Sequence, residues 1–167
     1  FFGLRSDMTV IEALPGGLWY TEIIAPVVAE DGQYIAAGYD IELPDQPEYR
    51  LRGHNAMLER FEKEADVFGP AKTAKLPSPA ATDLGRAESA DRVPTFRSKH
   101  GWIRAGGAEA AYSAFFDVLK SGGVLGVVQH RAGAETDTST FNGYVPEEKV
   151  IALATAAGFK LEASSEI

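Results

Sequence analysis

Glu12, Gly16, Gly17 and Asp40 are spaced like the parts of a nucleoside-binding corner. The stretch VIEALPGGLWYTEI, residues 10–23, passes from an apolar run through Pro15-Gly16-Gly17 into a helix-like stretch. Glycines in such a turn let the backbone approach a ligand closely, and the helix that follows presents N–H groups left unbonded within it. Glu12, at the end of the apolar run, is placed to accept a hydrogen bond from a ligand's ammonium group or from a loop N–H. Asp40 ends the next apolar run, where a carboxylate takes both hydroxyls of a ribose. A plainer reading stays open, with Gly16-Gly17 as a tight corner and Asp40 as a solvated strand-end carboxylate.

Other polar residues suit narrower roles. His100 and Trp102 follow a later strand-like stretch. There an imidazole titrating near neutrality serves a hydroxyl or amine acceptor as general base, with the indole as a stacking wall. The alternative is that His100 bonds its loop and Trp102 packs. His130-Arg131 reads as a hydrogen-bonded strand end, and His54 has no visible partner. The three histidines lack metal-ligand spacing, so no metal is expected. Neither a G-x-S-x-G elbow nor a G-x-x-x-x-G-K-[ST] loop is present. G-x-G-x-x-G is missing too, because the positions counted from Gly16 hold Gly16, Leu18 and Thr21.

The elements that position these residues follow from hydrophobic periodicity. Residues 8–14 form an apolar run suited to a strand buried on both faces. Residues 20–29 carry a helical stripe with Pro26 inside it, and 33–39 make a second strand, completing a βαβ unit. A polar excursion over 41–52 precedes a helix over 54–65, a weak strand within 67–76 and a loop over 77–88. Residues 92–97 predict a strand despite Pro94, which lacks the N–H of a central ladder. A helix over 108–120 ends at Gly122-Gly123, and 124–129 is a strand. Pro146 opens a helix with Val150, Leu153, Ala154 and Ala157 as its stripe. Gly158 closes it and 159–163 starts another strand. This alternation predicts an α/β fold, a Rossmann-like doubly wound, mostly parallel sheet with helices on both faces.

The chain of 167 residues, 45% apolar, is long enough for one such domain, 1–167. A net charge of −8 argues against a protein that grips nucleic acid or anionic lipid. Absence of cysteine excludes disulfides, cysteine-ligated zinc and a cysteine nucleophile. No apolar run reaches the length of about 18 residues that a membrane span needs. Beginning at Phe1 and ending at Ile167, the sequence reads as part of a longer product.

Together these residues carry a family likeness. VIEALPGGLWYTEIIAPVV resembles the first motif of class I S-adenosylmethionine-dependent methyltransferases, in particular a bacterial group whose loop reads Glu-x-x-Pro-Gly-Gly-Gly-Trp-Tyr-Thr. TFRSKHGW at 95–102, AFFDVLKSGGVLGVVQHRA at 114–132 and GYVPEEKVIALATAAGFKLEASSEI at 143–167 are similar to the same group. The resemblance implies S-adenosylmethionine as cofactor. Glu12 and the backbone of Pro15, Gly16 and Gly17 would surround its amino-acid part, and Asp40 would hold the ribose. Thr82 and Asp83 would contact adenine, and Thr95, Phe96 and Arg97 would face the methyl group, beside His100. It implies a final strand hairpin beyond the present end. It also implies an export signal ahead of the domain in many members, which sets a periplasmic location beside a cytoplasmic one.

Three positions depart from the group. Leu18 stands for a third glycine, Pro94 for an apolar strand residue, and Gly101 for an Asn. The expectation is therefore a methyltransferase acting on a small-molecule acceptor. Its alternatives are a non-catalytic module of the same fold that has lost the cofactor, as Leu18 crowding the turn and Pro94 would permit, and an NAD(P)-linked oxidoreductase on the same sheet.

Overall fold

A computed structural model describes residues 2–76, 84–133, 135–137 and 143–166, with Lys99 and His100 described by their backbone alone. The chain opens with β1 (Thr9–Ala13), α1 (Thr21–Val28) and β2 (Gln33–Gly38), the βαβ unit its periodicity predicts. Thr21, Ile24, Ala25 and Val28, at helical spacing, are the buried face of α1. There follow α2 (Glu48–Lys63), α3 (Ala65–Phe68), β3 (Lys72–Lys75), β4 (Ala90–Phe96), α4 (Lys99–Arg104), α5 (Ala108–Val118) and β5 (Leu119–Val128). The described chain closes with β6 (His130–Ala132), β7 (Tyr144–Pro146) and α6 (Glu147–Ala156).

Five strands form one sheet in the order β3-β2-β1-β4-β5, every ladder parallel, as in a doubly wound nucleotide-binding half. One face carries Val10, Tyr34 and Ala36 against Ile24, Ala25 and Val28 of α1, Met57 of α2 and Phe68 of α3. The other carries Ile11, Ala13, Ala37 and Val93 against Trp102 of α4 and Ala111, Phe115 and Val118 of α5. β1 is thus buried from both sides, which is why Val10, Ile11 and Ala13 are apolar on both of its faces. Among the described residues no helix is long and apolar enough to cross a membrane.

Several boundaries differ from expectation. α2 begins at Glu48, inside the stretch read as a polar excursion. Its first turns are solvated and tied by ion pairs such as Arg52 to Glu48 at 2.7 Å, so they carry no apolar period. The weak strand expected within 67–76 resolves into α3 and the short β3, and α4 falls where a loop was expected. β5 starts five residues early, directly after α5. Its ladder jumps from Ala90↔Leu119 to Arg92↔Val124, so Gly122 and Gly123 sit in a bulge rather than ending the helix. The stripe of α6 is only half-buried, and no residue of that helix is fully buried. The strand expected over 159–163 is absent, because that segment pairs with no neighbour. β6 and β7 form a separate parallel pair.

Pro94 is accommodated in an interior strand. The β5 side of its ladder runs without a break from Arg92↔Val124 to Phe96↔Val128. On the β1 side the pairs are Val10↔Arg92 and Ala13↔Thr95, one register that passes over Pro94. The missing N–H therefore falls on the seam between β1 and β4.

The turn from α1 into β2 has no spare room. A Cβ built on Gly32 would lie 2.3 Å from the Met8 carbonyl oxygen and 2.5 Å from that of Ser6, both backbone atoms that cannot turn away. Gly32→Ala should lower the unfolding free energy in a urea titration by about 1–3 kcal/mol, with the midpoint falling at unchanged slope.

Candidate cofactor crevice

The strand order reverses direction between β1 and β4, so a ligand crevice belongs beyond their carboxyl ends. The loop after β1 lines it. Leu14, Gly16 and Leu18 alternate there in the left-handed region, at φ 56°, 58° and 66°. Gly16 and Gly17 are exposed, and a Cβ on Gly16 would meet only the Leu14 carbonyl oxygen at 4.0 Å. A Cβ on Gly17 would meet nothing within 4 Å. The corner is open to a ligand.

Leu18 does not crowd it. Its side chain is 2% exposed and packs into the core with Met8, Val10 and Ile24. Its φ explains why a glycine suits the position, since a left-handed backbone costs an L-residue about 1–2 kcal/mol. Pro94 likewise turns away, lining an apolar hollow of about 40 Å³ with Leu4, Val10, Ile24 and Val124. The side chain that projects is Trp19, 62% exposed, edge-on to Tyr20 with ring centres 4.6 Å apart. Tyr20 in turn stacks on Phe96 at 3.5 Å and 6°, a bridge from the β1 loop to the end of β4.

The start of α1 has little left for an anion. The N–H of Glu22 is bonded to the Leu18 carbonyl at 3.0 Å and that of Ile23 to the Tyr20 carbonyl at 3.0 Å. Helix N-termini that hold a pyrophosphate do so with just these groups. Beneath the same helix end lies a carboxyl group instead. Glu12 is 1% exposed, and its Oε2 accepts hydrogen bonds from Thr21 Oγ1 at 2.8 Å and from the Tyr34 hydroxyl at 2.7 Å. Its Oε1 is buried with no partner among the described residues. Burial pushes the carboxyl above the ordinary carboxylate range, outweighing the two hydrogen bonds that act downward. Burial and the adjacent Glu12 push the Tyr34 phenol far up, so it remains a donor.

Asp40 lies just beyond β2 with its side chain 9% exposed. Its Oδ1 receives the Glu42 N–H at 3.1 Å and Lys75 Nζ at 3.2 Å, and Lys75 also pairs with Glu42. Thr95 is wholly buried at the end of β4, and Arg97, exposed at φ 53°, follows Phe96 with its N–H on the Val128 carbonyl at 2.8 Å. His100 falls in α4, just past β4. Thr82 and Asp83 lie outside the described residues. The loop after β1, the end of β2 and the end of β4 thus meet at one edge of the sheet.

Trp102 is core, 6% exposed and 5.6 Å from the Phe115 ring, which answers the choice between wall and packing. His130 lies exposed in β6 beside Tyr144, with ring centres 5.3 Å apart. Among the described residues no three His, Asp or Glu side chains converge as a metal site. The partners Thr21 and Tyr34 escape a reading of the sequence. Their signals are faint: a tyrosine in a strand bound to be buried, and a threonine at the first helical position, each needing a polar partner.

Neither a protein-family profile nor a curated protein sequence matches the chain. Solved structures do. A SAM-dependent methyltransferase from Aquifex aeolicus aligns over 97% of this chain and 77% of its own at TM-score 0.68 and 16% identity. An arsenic(III) S-adenosylmethionine methyltransferase from Chlamydomonas reinhardtii aligns over 95% and 53% at TM-score 0.59 and 15% identity. A precorrin-6y C5,15-methyltransferase from Geobacter metallireducens aligns over 98% and 69% at TM-score 0.57 and 15% identity. The chain has the Rossmann-like fold of these methyltransferases.

Two measurements probe the corner. Leu18→Ala and Leu18→Gly both lose a buried side chain, a loss of about 2–5 kcal/mol. Because of the left-handed backbone, the glycine variant should be the more stable of the two by about 0.5–1 kcal/mol in denaturant unfolding, the reverse of their usual order. Glu12 makes stability depend on pH. Its folded pKa lies above its ordinary value of 4.5, so between the two the folded state binds more protons than the unfolded. Stability that is complete at lower pH is therefore lost as pH rises through that window, by at most about 1.4 kcal/mol per unit. Glu12→Gln should remove this decline in thermal unfolding followed across the same window.

Proposed function

We propose that the protein is an S-adenosylmethionine-dependent methyltransferase acting on a small-molecule acceptor. The observation that carries this reading is the buried Glu12 carboxyl with an unbonded oxygen beneath an open glycine corner. Such a group receives positive charge, and the helix end above it has few N–H groups free for an anion. S-adenosylmethionine brings ammonium and sulfonium charges to its amino-acid end, whereas a dinucleotide brings a pyrophosphate. The chemistry therefore favours the methyl donor over the NAD(P)-linked alternative.

The residues present fit that cofactor. When bound it supplies a methyl group activated by the sulfonium. Glu12 would take the ammonium, and the backbone of Pro15, Gly16 and Gly17 would hold the amino-acid part. Asp40 would hold the ribose, and the resemblance assigns adenine to Thr82 and Asp83, which lie outside the described residues. Thr95, Phe96 and Arg97 at the end of β4 would flank the reacting group, beside the Tyr20–Phe96 stack. His100 would serve as general base toward a hydroxyl or amine acceptor. Most of the acceleration then comes from holding the two reactants in line. The net charge of −8 supports a small acceptor over a nucleic acid. The reading as a module without cofactor rested on Leu18 and Pro94; the burial of Leu18 in the core and the place of Pro94 in the apolar hollow count against it.

Calorimetric titration with S-adenosylmethionine, S-adenosylhomocysteine and NADH tests the reading. The first two should bind in the micromolar range and NADH should not. Asp40→Ala should weaken them tenfold or more, about 1.4 kcal/mol. Binding of NADH alone would transfer the reading to hydride chemistry, and heat from none of the three would leave a binding module.

A further inference from the structure

Thr21 and Tyr34 take no part in the scheme above, yet they determine what Glu12 can do. Glu12 Oε2, Thr21 Oγ1 and the Tyr34 hydroxyl form a closed triangle with sides of 2.8, 2.7 and 3.0 Å. Each hydroxyl owns one proton, so an ionised Glu12 leaves two protons for three oxygen–oxygen contacts. A proton on the carboxyl supplies the third, and every contact in the ring is then a hydrogen bond. The other oxygen, Oε1, is buried with no described donor facing it.

The charged groups on the surrounding elements are committed elsewhere. Glu22 of α1 and Arg60 of α2 pair with each other at 2.9 Å. Arg92 of β4 is bonded to the backbone oxygens of Phe2, Gly3 and Asp91. Asp40, beyond β2, is held by Lys75. His54 of α2 is the exception, its Nδ1 buried near Gly38 with no hydrogen-bond partner among the described residues, but it is not among the groups that act on Glu12. An ionised Glu12 would thus be a buried anion without a counter-charge, an expensive state that a proton relieves. Burial is accordingly the leading influence on this carboxyl, and it acts upward.

We propose that burial keeps Glu12 a neutral carboxyl in the free protein, that Thr21 and Tyr34 are positioning residues that fix it by Oε2, and that a ligand's ammonium group takes Oε1 and drives the Glu12 proton into solvent. The identity of the ammonium compound rests on the cofactor reading; the neutral carboxyl does not. Proton balance is simple. One proton leaves the carboxyl for the buffer, and one cation replaces it against the resulting carboxylate. Binding is then tighter at higher pH, where the proton has already left.

Calorimetry in buffers of different ionisation enthalpy counts the protons released, between about pH 5 and pH 8. S-adenosylmethionine and S-adenosylhomocysteine, which share the ammonium, should each release up to about one proton as pH falls. 5′-Methylthioadenosine, with adenine, ribose and thioether but no charge, should release none. Glu12→Gln should bind the two charged ligands more weakly and without the proton, which also corrects for titration of the ligand itself. Tyr34→Phe removes a bond that favours the carboxylate, so its proton release should persist to higher pH, a displacement that a purely structural role would not give. In parallel, the carboxyl carbon resonance of Glu12 in the free protein should titrate above the ordinary range. Tight binding with no proton exchange, or a Tyr34→Phe profile identical to wild type, overturns this proposal and leaves the cofactor reading standing. No binding by any of the three compounds overturns both, and a Glu12 resonance that titrates normally overturns the neutral carboxyl whatever binds.

Discussion

A carboxyl group sealed beneath the first helix constrains everything around the crevice. Burying Glu12 requires donors, and the fold provides them from two elements, Thr21 at the first position of α1 and Tyr34 in β2. These bonds fix how α1 sits on the sheet as firmly as the apolar contacts of Ile24, Ala25 and Val28 do. They also set the path of the loop between, which must climb from Ala13 over the carboxyl and return to Thr21 within seven residues. Left-handed backbone at Leu14, Gly16 and Leu18 is how it does so. The open corner is thus a by-product of covering a polar group, and the same group gives the corner its preference for positive charge.

The doubly wound architecture was legible because α1, β2 and α5 bury their apolar residues at clear periods while β1 is buried along nearly its whole length. Where a segment's surface is charge-paired, as in the first turns of α2, hydrophobic period is silent and those turns were missed, though the rest of the helix was expected. α4 is only six residues long, too short for any period to declare itself. The strand expected over 159–163 failed for another reason: a strand exists only with a partner, and a single sequence does not show one. The bulge at Gly122-Gly123 belongs to the same class, since two glycines read equally well as a helix end and as a kinked strand.

Within the crevice, types and order were readable while directions were not. Glu12, the glycine pair and Asp40 could be placed at strand ends by counting. That Leu18 turns inward while Trp19 turns outward depends on a single left-handed residue, and no composition or spacing announces it. The buried triangle joins residues 9 and 22 positions from Glu12, and only the packing of a helix on two neighbouring strands brings them together. Lys75 on Asp40 is a similar case, with β3 delivering a cation to the end of β2.

Pro94 has a mechanical meaning as well as a sequence one. A parallel sheet yields most readily along its least-bonded line, and here that line runs between β1 and β4, beneath the crevice. β1, β2 and β3 carry one wall and β4 and β5 the other, so the two walls meet along the ladder from which Pro94 withholds an N–H. The Tyr20–Phe96 stack spans the mouth of the crevice. Two flat rings in face contact thus fasten the loop after β1 to the end of β4 across that seam.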